Sequence, residues 1–329
     1  MKELTSTPVQ NLNTMTSVEN HIIYHAYPQS PVAEKVRVIF GIKQLDWHSV
    51  EIPRLPPKPM LTTLTGGYRR TPVMQIGADI YCDSLCIIEE LEQRFPTHSL
   101  YPTADAGLLR CLSRWTDGAL FELAVKIVLG SAGDSLPEDF AEDRGRLYLG
   151  GDNWAENLKK ANAQLPHLVA QLRVYLSWLD EMLADGRKYL TSDKASAIDA
   201  QIYHVVWFIR GRFAGGEALL SEFSNMLQWE KNILSMGHGT SSELSAEKAI
   251  EIAASATPQT QEMVDAKDPQ GLKPGMQIKV GPDVESGEQF VSGSVRYADA
   301  NRIAINRTCD QTGSELCVHF PRTGYRIEV

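Results

Sequence analysis

The chain has 329 residues, 43% of them hydrophobic, with six Trp and eleven Tyr, which suits two or three domains with real cores. Its formal charge of −9 speaks against nucleic-acid or anionic-membrane partners, since both need a basic face. No uninterrupted apolar run reaches the length of a membrane span, and the opening MKELTSTPVQNLNTMTSVEN lacks the apolar core of a signal peptide.

Residues 1–20 are therefore expected to be a mobile tail. Strand and helix signals then alternate over 21–97. IIYHA reads as a strand, and Pro31 opens a helix with apolar residues at Val32, Val36, Ile39 and Phe40. WHSVEI reads as a second strand, and four prolines in PRLPPKP break the pattern. TPVMQIGADIYC predicts a hairpin around Gly77 and Ala78, and DSLCIIEELEQRF a helix capped by Asp83 or Ser84. The order βαβ then ββα is an α/β layer unit.

Residues 104–256 turn helical, from GLLRCLSRWTDGALFELAVKIVLG through SAIDAQIYHVVWFIRG to SAEKAIEIAAS. Residues 257–270 read as a linker. Residues 271–329 carry about five short Val/Ile runs punctuated by Gly, Pro and Asp, which predicts a small all-β unit, barrel or sandwich. It is expected to pack over part of the helical region, apart from any site built before Leu85. Five cysteines form no CxxC and no zinc spacing with His. No metal is expected, and reduced thiols in a cytoplasm are the default.

The βαβ–ββα unit, the all-helical region after it, the TPV before a strand and the DS opening the next helix together resemble the cytosolic glutathione S-transferases. The resemblance covers about 21–256 and implies a thioredoxin-like domain followed by a helical one. It implies glutathione as co-substrate, a small hydrophobic electrophile as acceptor, a homodimer and a role in detoxification.

The implied site residues are carried over singly. Thr71, before Pro72, would lend its backbone to the cysteinyl part of glutathione, with Pro72 cis. An exposed edge backbone can pair with an extended peptide in this way. Asp83 and Ser84 would take the γ-glutamyl ammonium and carboxylate, helped by free N–H groups of a helix start; a plain helix cap is the other reading. Lys58 would meet the glycyl carboxylate, or be a solvated lysine in a Pro-rich loop. Arg69 and Arg70, in TGGYRR, read as solvated.

Ser30 aligns with the family's activating position, where a hydroxyl donates to the glutathione sulfur. Tyr27 and Tyr24 are rivals, and Ser30 also suits a cap. A protein-cysteine disulfide exchange is disfavoured, because Ser stands where Cys would be needed. Tyr27 and Trp115 are the implied acceptor-pocket residues. Ser196 and Asp199 form an S-x-x-D capping box with a structural role. The leading reading is a glutathione transferase-like enzyme acting on an electrophile or peroxide. The alternative is a non-catalytic binding or scaffold protein of the same fold.

Overall fold

The computed structural model describes residues 21–103, 105–284 and 286–329, so the expected tail lies outside them. The first layer unit runs β1 (Ile22–Ala26), α1 (Pro31–Lys43), β2 (Asp46–Glu51), α2 (Pro59–Thr65), β3 (Val73–Ile76), β4 (Asp79–Cys82) and α3 (Ser84–Arg94). β1 pairs parallel with β2 and antiparallel with β3, which pairs antiparallel with β4. This is the thioredoxin-like arrangement. The Thr71–Pro72 bond is cis, as expected. The short α2 is absent from the sequence reading. Its PMLTTLT is Thr-rich, and Thr62, Thr63 and Thr65 fold their hydroxyls back onto helix carbonyls, a pattern of weak helix propensity.

Caps set where the helices begin. Ser30 accepts from the Ala33 N–H at 3.2 Å at the start of α1, and Asp83 accepts from the Leu85 N–H at 2.9 Å at the start of α3. Among the described residues eight α-helices follow: α4 (Ala106–Trp115), α5 (Phe121–Ala132), α6 (Glu138–Tyr148), α7 (Trp154–Ala163), α8 (Leu165–Met182), α9 (Ala197–Arg212), α10 (Gly216–Leu220) and α11 (Ser224–Met236). A π-helical turn over Thr116–Leu120 joins α4 to α5. The predicted capping box stands at α9: the Asp199 carboxylate accepts from the Ser196 N–H at 2.9 Å, and also from the Trp229 indole at 2.9 Å. No helix among the described residues is long and apolar enough to cross a membrane.

After α11 the chain returns to the first unit rather than completing a separate helical body. β5 (Thr240–Glu243) pairs parallel with β2. α12 (Ala246–Ser255) lies on the sheet face that carries α2, and the Gln75 side chain donates to the Ala249 carbonyl at 2.8 Å. The expected linker is also engaged. The Gln259 N–H and Thr260 hydroxyl donate to Asp79, and β6 (Met263–Val264) pairs with a later strand.

The C-terminal strands are β7 (Gln277–Pro282), β8 (Val291–Ala298), β9 (Arg302–Thr308), β10 (Glu315–Pro321) and β11 (Tyr325–Glu328). They are an all-β segment, as expected, but not a separate barrel or sandwich set over the helices. β10 runs parallel to β4, with Cys317 opposite Asp79 and His319 opposite Tyr81. The strands form one open sheet of eleven, ordered β11-β7-β8-β9-β10-β4-β3-β1-β2-β5 with β6 beside β8. The reason is an edge: β4 ends the thioredoxin-like sheet and its unpaired backbone takes a further strand. One core joins α1, α3 and the helices, and a second joins α2, α12 and the C-terminal strands across the other face.

Candidate functional site

A cavity of about 170 Å³ opens where the β1–α1 turn meets α5, α6 and α9. Tyr27, Ser30, Lys58 and Thr71 all line it, so the fold brings together four of the residues named from sequence. Ser30 is 2% exposed. Its Oγ accepts from Ala33 N–H and still carries its own hydrogen, because a hydroxyl accepts and donates at once. Capping and donation into the cavity are compatible.

Tyr27 is buried, and its hydroxyl accepts from Arg144 Nη2 at 3.2 Å. Tyr24 is not in the cavity. It lies in the core, donates to the Ala33 carbonyl at 2.8 Å, and burial pushes its pKa well up. Lys58 is buried rather than solvated, with its ammonium 3.1 Å from the Thr71 hydroxyl. Desolvation, then the charges of Arg144 and Arg69, lower its pKa to about 8. Cys82 and Cys86 are buried, and burial raises both thiols, so neither has thiolate character.

Asp83 and Ser84 fall outside the cavity lining. Oδ2 of Asp83 accepts from the Tyr325 hydroxyl at 3.0 Å, and Tyr325 lies 3.1 Å from the Tyr68 hydroxyl. Ser84 Oγ accepts from Lys35 Nζ at 3.0 Å, and Lys35 is ion-paired with Asp117. Arg70 is not solvated: its guanidinium grips both carboxylate oxygens of Glu288, which is held below the usual carboxylate range by that arginine against the opposing effect of burial. Tyr325 and Glu288 come from the C-terminal strands and their loop. The expectation that this segment stays apart from the site is thus corrected, and no local sequence signal could have revealed pairings so far apart along the chain.

Trp115 does not line the cavity either. It packs edge-on against Tyr175, with ring centroids 5.4 Å apart. The apolar wall is supplied instead by Phe121 and Val125 of α5, Phe140 and Tyr148 of α6, and Phe208 of α9. Their helical spacing is what marks them in the sequence, but it marks core residues equally. A larger hollow of about 420 Å³ between α1, β2 and α11 shares, among the described residues, only Tyr27 with this cavity, and its Arg37 and His238 are each bonded to Glu34. Of the other candidate residues it is lined by Tyr24, but not by Ser30, Lys58, Thr71, Asp83 or Ser84.

The family model for the glutathione S-transferase N-terminal domain matches residues 25–99. The chain is 31% identical to a GST-like protein of known structure from Pseudomonas syringae; the match covers 94% of this chain and 100% of that one, with a TM-score of 0.77. A β-etherase from Sphingobium is 17% identical over 65% of this chain and 98% of its own, with a TM-score of 0.49. A glutathione S-transferase from Rhodospirillum rubrum is 19% identical over 65% of this chain and 88% of its own, with a TM-score of 0.46. No curated protein sequence matches the chain.

Proposed function

The chain belongs to the glutathione S-transferase family, and from that premise we propose that it activates the glutathione thiol at Ser30 and directs it at a small electrophile. The observation that carries this reading is the Ser30 hydroxyl, seated at the N-terminus of α1 in one cavity with Lys58, Thr71 and an apolar wall. A free thiol has a pKa of about 8.5. A hydroxyl donor and the positive end of a thirteen-residue helix both favour the anion. The thiol proton leaves to solvent. The sulfur lone pair then forms a bond to the electrophilic carbon, and the leaving group departs with its electron pair. Lys58 would hold the glycyl carboxylate, and the Thr71 backbone the cysteinyl part.

Ser30→Ala tests it. Losing one donor to a charged sulfur costs about 1.5–3 kcal/mol, or roughly ten- to a hundredfold in conjugation rate. The ultraviolet absorbance of bound thiolate should titrate at higher pH in the variant, with glutathione affinity little changed. If Tyr27→Phe moves that titration and Ser30→Ala does not, Tyr27 is the activator. If neither moves it, or no electrophile is turned over, the second reading stands: a binding protein of this fold without turnover. That reading is favoured by one feature, the engagement of Asp83 by Tyr325 and of Ser84 by Lys35, the two groups meant for the amino-acid end of the ligand.

A further inference from the structure

The cavity has an unusual charge. Its lining includes Arg54, Lys58, Arg69, Arg70, Arg144 and Arg212 and, among the described residues, no Asp or Glu. The chain as a whole carries −9, so composition does not explain six cations in one hollow. Two carboxylates behind the lining neutralise part of it. Asp143 pairs with Arg69 and Arg144, and Glu288 with Arg70 and Arg69. Lys58 is assigned above to the glycyl carboxylate. Arg54 and Arg212 remain, with no acidic partner among the described residues.

The two arginines sit where apolar wall turns to solvent. Arg54 lies over the Phe140 ring, 4.0 Å from its centroid, and Arg144 covers the same ring at 5.2 Å. Arg212 stands four residues after Phe208 on α9, so both side chains share one helix face toward the cavity. The same alternation runs along α6, where Phe140 and Arg144 are four apart and Tyr148 follows by four more. Arg144 also donates to the Arg54 carbonyl at 2.6 Å, which fixes the loop that presents Arg54. Burial, and then the like charges of Arg144 and Arg212, press the Arg54 pKa down, with Tyr27 opposing them. Three guanidinium groups thus converge on one mouth.

We propose that the acceptor half of this site takes an aromatic electrophile bearing a carboxylate, its ring against Phe121, Phe140 and Phe208 and its charge between Arg54 and Arg212. A flat ring suits the aromatic wall, and guanidinium forks bind carboxylates bidentately. This deepens the transferase reading and rests on it for the reaction, though not for the binding.

The test compares two matched acceptors, a neutral chlorodinitrobenzene and chlorodinitrobenzoate, each corrected for its uncatalysed rate with glutathione. The ratio of corrected kcat/KM should favour the benzoate by about tenfold at low salt, and fall toward unity as salt rises, because the two arginines are partly exposed. The double variant R54Q/R212Q should remove the preference, and R54K/R212K should restore part of it. A benzoate preference absent in the wild type, or kept in R54Q/R212Q, overturns the proposal. If neither acceptor is turned over, the transferase reading fails, and fluorescence titration with anilinonaphthalene sulfonate then decides the inference alone. Binding weakened about tenfold in R54Q/R212Q supports the anion site, and equal binding in wild type and variant overturns it. Both side chains are exposed, so the variants should fold, which far-ultraviolet circular dichroism checks.

Discussion

The ammonium of Lys58 is 5% exposed as a residue, and among the described residues it has one hydrogen bond, to the Thr71 hydroxyl. A buried cation with so little compensation would be stabilised by a nearby anion, which is what the proposed role at the glycyl carboxylate requires. Its pKa of about 8 fixes the pH dependence. In the free protein the charged form is disfavoured, so the unfolded chain binds that proton more tightly between about 8 and about 10.4, and unliganded stability rises with pH through that window. Anion binding runs the other way, because only the protonated amine attracts a carboxylate. Affinity for S-methylglutathione should be constant below pH 8 and fall above it, by up to about tenfold per pH unit. Calorimetry on wild type and Lys58→Met checks this. The variant should bind more weakly at pH 7 and show a flatter slope above pH 8. Parallel slopes would assign the fall to the ligand's own amino group and release Lys58 from the site.

At the scale of elements, β11 and the loop before β8 act on residues two hundred or more positions earlier. Tyr325 donates to Asp83 Oδ2, and Glu288 holds Arg70. Oδ1 of Asp83 is already taken by the Leu85 N–H, so a ligand ammonium reaching this carboxylate competes with the tyrosine. Tyr325→Phe removes the competitor while keeping the ring against Tyr68 and Phe320. Glutathione affinity should rise about three- to tenfold, the worth of one hydrogen bond; a fall would mean that the hydroxyl belongs to the binding site itself. These dependences explain which parts of the molecule the sequence discloses. The strands and most helices of 21–97 are local patterns, and the α1 cap at Ser30 and the α9 box follow from a few adjacent residues, whereas the cis Pro72 is implied only by the family resemblance. The α2 helix is hidden by its threonines. The pairing of β10 with β4 and of β5 with β2 has no local signature, since an edge accepts any strand of matching face. Trp115 is misplaced for a related reason, as aromatic residues on an amphipathic helix carry no mark of whether they face a cavity or a neighbour.

At the scale of the whole molecule, three buried histidines are spread through its parts. His25 lies in β1, where Nε2 donates to Gln75 Oε1 at 3.0 Å. His204 lies in α9 beside Phe121, 5.4 Å between ring centroids, with no hydrogen-bond partner for either nitrogen among the described residues. His319 lies in β10, stacked on Tyr81, with Nε2 2.9 Å from Asp79. Desolvation is the first cause of a lowered pKa in each, to about 4 for His25 and about 3 for His204. The folded pKa values lie below the unfolded one of about 6.5, so in the native state these rings stay neutral while the unfolded chain takes up protons. Stability is therefore full above pH 6.5 and declines as the pH falls from there toward 4. His25 and His204 each lose on the order of 3 kcal/mol by pH 4. The carboxylates of Glu34, Asp79 and Glu288, all held below their usual range, add to the loss only at lower pH. Because one sheet runs from β11 to β5 and its two faces carry both cores, the decline should appear as a single transition. Urea midpoints measured from pH 7.5 to 4.5 by far-ultraviolet circular dichroism and by tryptophan fluorescence should fall together. The double variant His25→Gln/His204→Phe should flatten that slope and leave the midpoint at pH 7.5 within the range of ordinary core substitutions. A slope unchanged in the variant would exclude these two histidines as its source, and separate transitions by the two probes would show that the helical layer and the extended sheet unfold independently.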